Sequence, residues 1–430
     1  MFTSTNPLPH DNIVTVRVDS GAEIADSTIV AGNTARTKPE NYAFYPALDG
    51  LRAIAFLMVF FFHYLQIPWG WAGVDLFFVL SGFLITGILF DTRDQHYRAR
   101  NFYVRRTLRI FPLYYGVMLA LLLAQPVVHW QWDWHWLVWP LYIGNFARFI
   151  HPFSQGDPLQ RLADFQPSGF FGRQQFELYL GHFWSLCVEE QFYLAWPWLV
   201  FWIRGRRKLI IICAATLPLC LAMRIAGQHA LPQWMLDNEI LYRATPLRLD
   251  ALLLGGLIAL ILRGHQGPAM LRAARWALPI ALSVVFLWIL LSPSGHIWKR
   301  PCPYPEWEST WGLSIFDFLS ALLILHALQL NSSVYRVLSV RPLRWIGRMS
   351  YGAYVFHDIF HPVFISIAAN LVHHMEAGLK IRENVIQIQA TLITTLVALV
   401  TTLLMAWLSF KYFETPFLNL KERWTIRPAN

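Results

Sequence analysis

The chain has 430 residues, of which 56% are hydrophobic, 16% are aromatic and only 14% are charged. This composition excludes an ordinary soluble enzyme and predicts an all-α polytopic membrane protein. The formal net charge of +9 comes from 35 Lys and Arg against 26 Asp and Glu. In a membrane protein such an excess is typical of cytoplasmic loops and does not indicate nucleic-acid binding. Four cysteines without a CxxC pair predict neither a disulfide framework nor a zinc site.

The N-terminal segment, residues 1–44, mixes polar, charged and turn-forming residues without a sustained apolar run. We therefore expect a disordered cytoplasmic tail rather than a signal peptide or a membrane span.

The first predicted span, residues 48–71, carries Arg52 near its first turn and His63 near its last. Eleven residues at 100° each make three turns and about 20°, so both side chains project from one face, roughly 16 Å apart. Ionisable side chains are costly inside a bilayer, which makes both residues candidates for function. The alternative is that Arg52 snorkels to the headgroups and His63 packs at a helix interface.

The second apolar run, residues 73–90, follows so closely that the first two spans are predicted to form a tight hairpin. The next loop holds six arginines between residues 93 and 109, which places it in the cytoplasm by the positive-inside rule. The N-terminus is then predicted to be cytoplasmic as well.

The third span, residues 110–128, leads outward to a Trp-rich stretch typical of a membrane interface. Residues 137–150 are interpreted as a short or re-entrant helix, because a full crossing there would place the later RGRRK run outside. Further spans are predicted at 184–203, 209–226, 246–262, 276–292, 311–330, 351–372 and 389–410. The result is about ten crossings plus the re-entrant piece. Both termini then lie inside, with 21 Lys or Arg on inner segments and eight on outer ones.

The run FYVRRTLRIFPLYY places Arg106 and Arg109 three residues apart, on one helical face at the cytoplasmic interface. Two guanidiniums on one face can bind phosphates through paired, charge-assisted hydrogen bonds. The alternative, which we favour for Arg105, is charge that sets the topology or contacts anionic headgroups.

The predicted span 184–203 holds Glu189 and Glu190 near its outer end. Adjacent helical residues point about 100° apart, so we expect the two carboxylates to face different neighbours, one of them inside the bundle. That inner carboxylate could orient His63, stabilise its imidazolium or position an acceptor hydroxyl, or it could close a structural ion pair.

Other polar residues within the spans are interpreted as structural. Ser81 is expected to bond to its own helix. Interhelical hydrogen bonds rather than chemistry are expected of four more: Asp317, His326, His357 and Asp358. The chain also lacks an HExxH motif, a P-loop and a dinucleotide-binding glycine pattern.

The chain resembles the membrane acyltransferase-3 family in six stretches, which occur in that family's order across residues 45–418. They are LDGLRAIAFLMVFFFH, GVDLFFVLSGFLIT, NFYVRRTLRIFPLYY, HFWSLCVEEQFYLAWP, SYGAYVFH and FETPFL. The resemblance implies an integral-membrane O-acyltransferase of the bacterial cytoplasmic membrane. Such an enzyme moves an acyl group, usually acetyl, from cytoplasmic acyl-CoA to a hydroxyl of an extracytoplasmic glycan, lipid-linked sugar or glycoside. Residues 419–430 would form a cytoplasmic tail.

The resemblance also implies residue roles: catalytic for Arg52, His63 and Glu190, and donor binding for Arg106 and Arg109, with no metal. Arg52 would hold polar donor groups or polarise the thioester carbonyl, while His63 would accept the proton of the acceptor hydroxyl or carry the acyl group itself.

The chain departs from the family pattern in two respects. Cys187 stands where the family usually has a small hydroxyl residue. No hydrolase-like domain follows the last span, so transfer is expected to finish within the membrane domain or through a separate extracytoplasmic partner protein.

The alternative from another class is a transporter of a polar or anionic solute, for which buried Arg, His and Glu are also expected. A transporter would require inverted halves with broken helices at matching positions, and the sequence shows no such symmetry.

Overall fold

The computed structural model describes residues 45–128, 134–150, 180–291, 306–361, 363, 364, 366, 367, 370 and 383–426. The predicted tail 1–44 lies outside the described residues. Within them every regular element is helical: α1 Pro46–Leu65, α2 Ala72–Thr92, α3 Arg98–Val128, α4 Ala147–Ile150, α5 Trp184–Trp202, α6 Arg206–Ala230, α7 Gln233–Asp237, α8 Ile240–Arg243, α9 Leu249–Leu262, α10 Gly267–Leu291, α11 Leu313–Ala327, α12 Ser333–Leu338, α13 Arg341–Arg348, α14 Ser350–His357, α15 Glu383–Leu408 and α16 Thr415–Trp424.

Shorter helical turns complete the described chain. Two are π-helical, Glu308–Gly312 before α11 and Ser409–Glu414 between α15 and α16. The 3₁₀ turns are Trp134–Val138, Gly144–Phe146, Gly181–Phe183 and Thr245–Leu247.

Seven helices in the described part of the chain are long and apolar enough to cross a membrane: Pro46–Leu65, Ala72–Thr92, Arg98–Ala124, Arg206–Ala230, Gly267–Leu287, Glu308–Ala327 and Gln387–Trp424. The prediction of an all-α polytopic membrane protein is therefore confirmed. The other three predicted crossings coincide with α5, with α9 and with a broken helix that begins at α14. At 14 residues, α9 is about 21 Å long, shorter than a bilayer core. The count of ten stays a prediction.

The centre of the bundle is α2, which packs against α1, α5, α9 and α11. Two glycines bring α2 and α9 into backbone contact. A Cβ on Gly82 would lie 1.7 Å from the carbonyl oxygen of Leu252, and one on Gly255 would lie 1.9 Å from that of Val79. Small residues that let helix backbones approach are a common device of membrane bundles.

The first hairpin is as tight as predicted, but α1 ends at Leu65 rather than at residue 71. Gln66 adopts a left-handed conformation (φ 53°) and closes the helix through bonds from its N–H to the carbonyls of Phe61 and Phe62. His63 thus lies in the last turn of α1.

The predicted span 351–372 is not one continuous helix, so that prediction is wrong in this respect. α14 ends at His357, residues 358–360 form a turn, and helical structure resumes at His361. The sequence has proline at position 362, which has no N–H to donate to a preceding carbonyl and disfavours an unbroken helix. The freed carbonyl of His357 accepts a hydrogen bond of 2.9 Å from the hydroxyl of Tyr64 on α1. The break therefore packs directly on α1.

Residues 137–150 form only short turns and the four-residue α4, too short to cross a membrane, as predicted. Asn145, buried in the turn before α4, accepts a hydrogen bond of 2.9 Å from Gln191 of α5. The segment is thereby tied to the helix that carries Glu189 and Glu190.

Candidate active site

Two polar clusters adjoin α1, one near each end. We call Arg52, Arg106, Arg109, Glu189 and Glu190 the cationic cluster. The second group, the histidine cluster, comprises His63, His182, His357, Asp358 and His361.

In the cationic cluster, Arg106 of α3 reaches both glutamates of α5. Its Nε lies 3.7 Å from Oε1 of Glu190, and its NH2 lies 4.0 Å from Oε2 of Glu189. The guanidinium carbon also lies 3.6 Å from the ring centroid of Tyr193. The prediction that the two carboxylates face different neighbours is wrong, because one wide, planar guanidinium can serve two adjacent long side chains.

The other two arginines complete the cationic cluster. Arg52 bonds to Asp49 one turn earlier in α1, with NH1 3.1 Å from Oδ1. Arg52 and Arg106 interact electrostatically, and Arg109 interacts with both of them. Arg109 is exposed and makes no hydrogen bond or ion pair within the described part of the chain. The structure thus brings all three predicted arginines together and leaves one of them available for an anion.

Ser81 of α2 extends this network. Its hydroxyl forms a short hydrogen bond with the hydroxyl of Tyr193, and both groups interact with Glu189. The expectation that Ser81 bonds to its own helix is therefore wrong. Its partner lies across the helix interface in α5.

The histidine cluster is centred on Asp358, whose side chain is 2% exposed in the turn that follows α14. His63 Nδ1 lies 3.1 Å from its Oδ1, within hydrogen-bonding distance. His182 Nδ1 lies 3.4 Å from its Oδ2, and His361 Nδ1 lies 3.9 Å from Oδ1. The ring of His357 lies 5.2 Å from that of His63 and 5.0 Å from that of His182, between centroids. Four imidazoles thus surround one buried carboxylate.

The carboxylate beside His63 is therefore Asp358, and of the roles considered for the inner glutamate of α5 the structure favours the ion pair over contact with His63. Glu190 is held by Arg106 in the other cluster. Asp358 does make the interhelical contacts that we predicted for it, although we did not link it to His63. The signal in the sequence was the run HDIFH, an unusual density of ionisable residues for a predicted span.

Backbone carbonyls assign the tautomers of three histidines, because a carbonyl only accepts hydrogen bonds. His182 Nε2 lies 3.0 Å from the oxygen of Val355, and His361 Nε2 lies 3.0 Å from that of His63. His357 Nδ1 lies 2.6 Å from the oxygen of Tyr354, in its own helix rather than in a neighbouring one as predicted. Each of these nitrogens carries a hydrogen.

The same reasoning assigns His63. A carboxylate accepts, so Nδ1 of His63 donates to Asp358 and Nε2 keeps its lone pair. The side chain of His63 is 27% exposed, whereas Asp358 is buried. The geometry therefore offers a base that is oriented by a carboxylate and lies on a partly exposed side chain, as proton removal from a hydroxyl requires.

A set of hydroxyls holds His182 in place. Ser185 Oγ lies 2.5 Å from the hydroxyl of Tyr354 and donates to the carbonyl of His182 at 3.2 Å. The Tyr354 hydroxyl lies 3.0 Å from the same carbonyl, and with one hydrogen per hydroxyl it donates to Ser185 when Ser185 donates to the carbonyl. The entry to α5 is thereby joined to α14.

Buried ion pairs elsewhere were missed by sequence reasoning. Arg248 pairs with Asp75, both side chains being 0% exposed, and Arg224 pairs with Asp250 at 2.6 Å. His326 makes the predicted interhelical bond, 2.9 Å from the carbonyl of Ala274. Asp317 is buried and its carboxylate has no hydrogen-bond partner among the described residues, so the bond predicted for it is not made.

Comparison with known proteins identifies the family. The acyltransferase-3 family, described as an acyltransferase domain, matches residues 45–411. The chain therefore belongs to the acyltransferase-3 family.

Two bacterial relatives illustrate the similarity. Peptidoglycan O-acetyltransferase OatA of Listeria monocytogenes is 28% identical over 392 residues, which cover 89% of this chain and 57% of the relative. O-acetyltransferase OatA of Staphylococcus aureus is 27% identical over 395 residues, which cover 87% and 57%. The chain thus spans a little over half the length of these relatives. No solved structure matches it.

Proposed function

We propose that this protein is an integral-membrane O-acyltransferase. It moves an acyl group, most simply acetyl, from cytoplasmic acyl-CoA to a hydroxyl of an extracytoplasmic glycan, lipid-linked sugar or glycoside. The observation that carries the proposal is the position of the two clusters along α1. Arg52 and His63 lie on one continuous helix, about 16 Å apart along its axis. A long, thin donor such as the pantetheine arm of CoA suits that separation.

The names of the two relatives support the acceptor class. Both names specify O-acetylation, and one of them specifies peptidoglycan. Peptidoglycan-type glycan strands and their lipid-linked precursors are accordingly the first acceptors to test.

At the inner end, the cationic cluster would bind the donor. Arg109 is exposed and makes no hydrogen bond or ion pair with the described residues, so it is the arginine most available to the phosphates of CoA, with Arg106 beside it. Glu190 would act indirectly, by holding the guanidinium of Arg106 in place. Arg52 leans toward Asp49, away from His63, so we assign it to the donor rather than to polarising the thioester carbonyl at the acceptor end.

At the outer end, His63 would act as general base. Its Nε2 takes the proton of the acceptor hydroxyl while the hydroxyl oxygen attacks the thioester carbonyl carbon. The new C–O bond forms, the C–S bond breaks, and the thiolate of CoA leaves and takes the proton from the imidazolium of His63, which regenerates the base. Asp358 would stabilise the imidazolium that forms on His63, as the carboxylate does in a Ser-His-Asp triad. An acyl group carried transiently on His63 is the other route for the same residues.

The test is transfer of label from [¹⁴C]acetyl-CoA, added at the cytoplasmic face of membrane vesicles, to acceptor glycan on the opposite face. We expect a labelled O-acetyl ester that mild alkali releases. His63→Ala should abolish it, while His229→Ala should not, because His229 is an exposed histidine at the end of α6, outside both clusters. Solute uptake without any labelled ester would refute the enzyme and favour the transporter alternative.

A further inference from the structure

The histidine cluster contains more nitrogen lone pairs than the proposed proton transfer uses. His182, His357 and His361 each bond through one ring nitrogen to a backbone carbonyl. In a neutral ring the second nitrogen then carries a lone pair. For His182 and His361 that nitrogen lies 3.4 Å and 3.9 Å from the carboxylate of Asp358. The lone pairs of these two nitrogens therefore lie close to a carboxylate that is itself negatively charged.

Among the described residues, Nε2 of His357 has no hydrogen-bond partner, and Nδ1 of His182 has only the 3.4 Å contact with the carboxylate of Asp358. His357 is 0% exposed and His182 is 4% exposed. A buried polar atom without a partner is unfavourable, and it is more so beside a carboxylate. A cation at the centre of the cluster would satisfy all of these groups together.

The outer contacts of the rings match those of metal-binding histidines. A histidine that binds a metal typically donates its other N–H to a carbonyl or carboxylate, which fixes the tautomer and aims the free nitrogen. The carbonyls of Tyr354 and Val355 do this for His357 and His182. The arrangement is thus prepared for coordination rather than for a chain of hydrogen bonds.

The donor set indicates the kind of cation. Imidazole nitrogen with one carboxylate suits Zn²⁺ and similar transition metals, whereas Ca²⁺ and Mg²⁺ prefer oxygen ligands. Donors around a tetrahedral Zn²⁺ stand about 3.3 Å apart. His63 Nδ1 lies 3.1 Å from Oδ1 of Asp358 and His182 Nδ1 lies 3.4 Å from its Oδ2, both close to this value, so the two carboxylate oxygens would face the ion together.

His357 is the remaining ligand, and its coordination together with His63 and Asp358 requires a small movement. One donor atom each from His63, His357 and Asp358 lie within 4.8 Å of one another, so these three would close by up to about 1.5 Å on binding a tetrahedral ion. The half-buried ring of His63 can supply the movement by rotation, and its 27% exposure provides a route of entry.

We propose that His63, His357 and Asp358, with Nδ1 of His182 as a fourth donor, bind a divalent transition metal of the Zn²⁺ type, and that the bound ion inhibits acyl transfer. Coordination through Nδ1 of His63 places the ring hydrogen on Nε2. That nitrogen can then no longer accept the proton of the acceptor hydroxyl. The metal-bound state and the active state therefore exclude each other. The inhibition rests on the proposed function, whereas the binding does not.

The sequence predicts no metal because the donors come from three distant segments and show no ligand spacing. α1, the turn before α5 and the break after α14 each contribute to the cluster. Only their packing assembles it.

The binding test uses the full chain, purified in detergent without a polyhistidine tag, stripped with a chelator and titrated with ZnCl₂. We expect one Zn²⁺ per chain. His357→Gln should weaken binding by about tenfold or more, the scale on which altered metal sites lose affinity. The matched control is His326→Gln, since His326 also bonds a carbonyl but lies outside the cluster, and it should bind as the wild type does. Absence of tight binding, or equal affinity in all three proteins, overturns the proposal.

X-ray absorption of the Zn²⁺-loaded wild type keeps the test valid even if His357→Gln fails to fold. We expect a nitrogen and oxygen shell near 2.0–2.1 Å with scattering from at least two imidazoles. A shell with fewer than two imidazoles would mean adventitious surface binding, and the lone pairs would then be satisfied by protons.

The activity arm compares label transfer with and without ZnCl₂. In the wild type, Zn²⁺ should suppress transfer and a chelator should restore it, while His357→Gln should resist Zn²⁺ in proportion to its lost affinity. Unchanged or faster transfer with the site filled would overturn the inhibition. Binding at the cluster without transfer under any condition would refute the proposed function and leave the metal site standing.

Discussion

His63 and Asp358 lie 3.1 Å apart between Nδ1 and Oδ1, although His63 lies in the last turn of α1 and Asp358 follows α14, almost 300 residues later. The contact exists because the helix that begins at Ser350 stops at His357 and presents the next residue to α1. A carboxylate in that position sets which nitrogen of His63 carries the hydrogen. The first two predictions follow from this pair.

Replacement of His63 should remove the base and little else. His63→Gln keeps a hydrogen-bonding side chain of similar length but cannot accept a proton, so the transfer rate should fall by about 10²–10⁴-fold, the usual contribution of general base catalysis. Initial rates of label transfer measure this, with donor binding and membrane insertion unchanged. A Gln variant that kept most of the wild-type rate would make His63 a structural contact.

Replacement of Asp358 tests orientation. Asp358→Asn keeps the shape but loses the charge, and its amide can donate to Nδ1 of His63, which would move the ring hydrogen to Nε2. We expect kcat to fall by about 10²-fold or more while KM for acyl-CoA stays within a factor of two, by analogy with the same change in a Ser-His-Asp triad. Asp237→Asn is the control, because Asp237 is exposed on α7. If KM for acyl-CoA rose by as large a factor as kcat fell, the result would argue against a positioning role for Asp358.

The donor site predicts a difference between neighbouring arginines. Arg109→Gln should raise KM for acyl-CoA by about tenfold, because an exposed guanidinium is lost from the proposed phosphate site. Arg105→Gln, also on an exposed position of α3, should have little effect. Wild-type affinity should also fall as salt rises, since charge–charge attraction is screened. If KM for acyl-CoA were equal in the two variants, Arg109 would be assigned to contact with lipid headgroups instead.

The buried pair of Arg248 and Asp75 should stabilise the fold rather than act in catalysis. Arg248→Met leaves the carboxylate of Asp75 buried and unpaired, which costs about 3–5 kcal/mol in buried pairs. The double variant Arg248→Met with Asp75→Leu removes both charges and should recover much of the loss. Thermal unfolding in detergent measures both. A single variant as stable as the wild type would contradict the assignment.

Topology can be tested by cysteine labelling. The predicted outer segment contains Ser168, outside the described residues, and the predicted inner loop contains Gly205. An impermeant maleimide applied to intact cells should label Ser168→Cys but not Gly205→Cys, in a Cys302→Ser background. Cys187, Cys213 and Cys220 are buried and should contribute little signal. The reverse pattern would invert half of the predicted topology.

Local periodicity by itself determined much of this protein. Runs of apolar residues predicted most of the helices, and the spacing of Arg52 and His63 placed both on one helix. The spacing of Arg106 and Arg109 likewise predicted two cations on one face. These inferences hold because a helix repeats every 3.6 residues whatever its surroundings, so spacing along the chain converts directly into direction.

Only the tertiary structure decided which residues meet. The carboxylate beside His63 is Asp358 and not Glu190. Both glutamates of α5 contact Arg106. The predicted span 351–372 is interrupted at Asp358. Such contacts join segments far apart in the chain, and their choice depends on how long side chains reach across packed helices. A single sequence records the direction of each side chain from its own helix but not the neighbour that packing places opposite it.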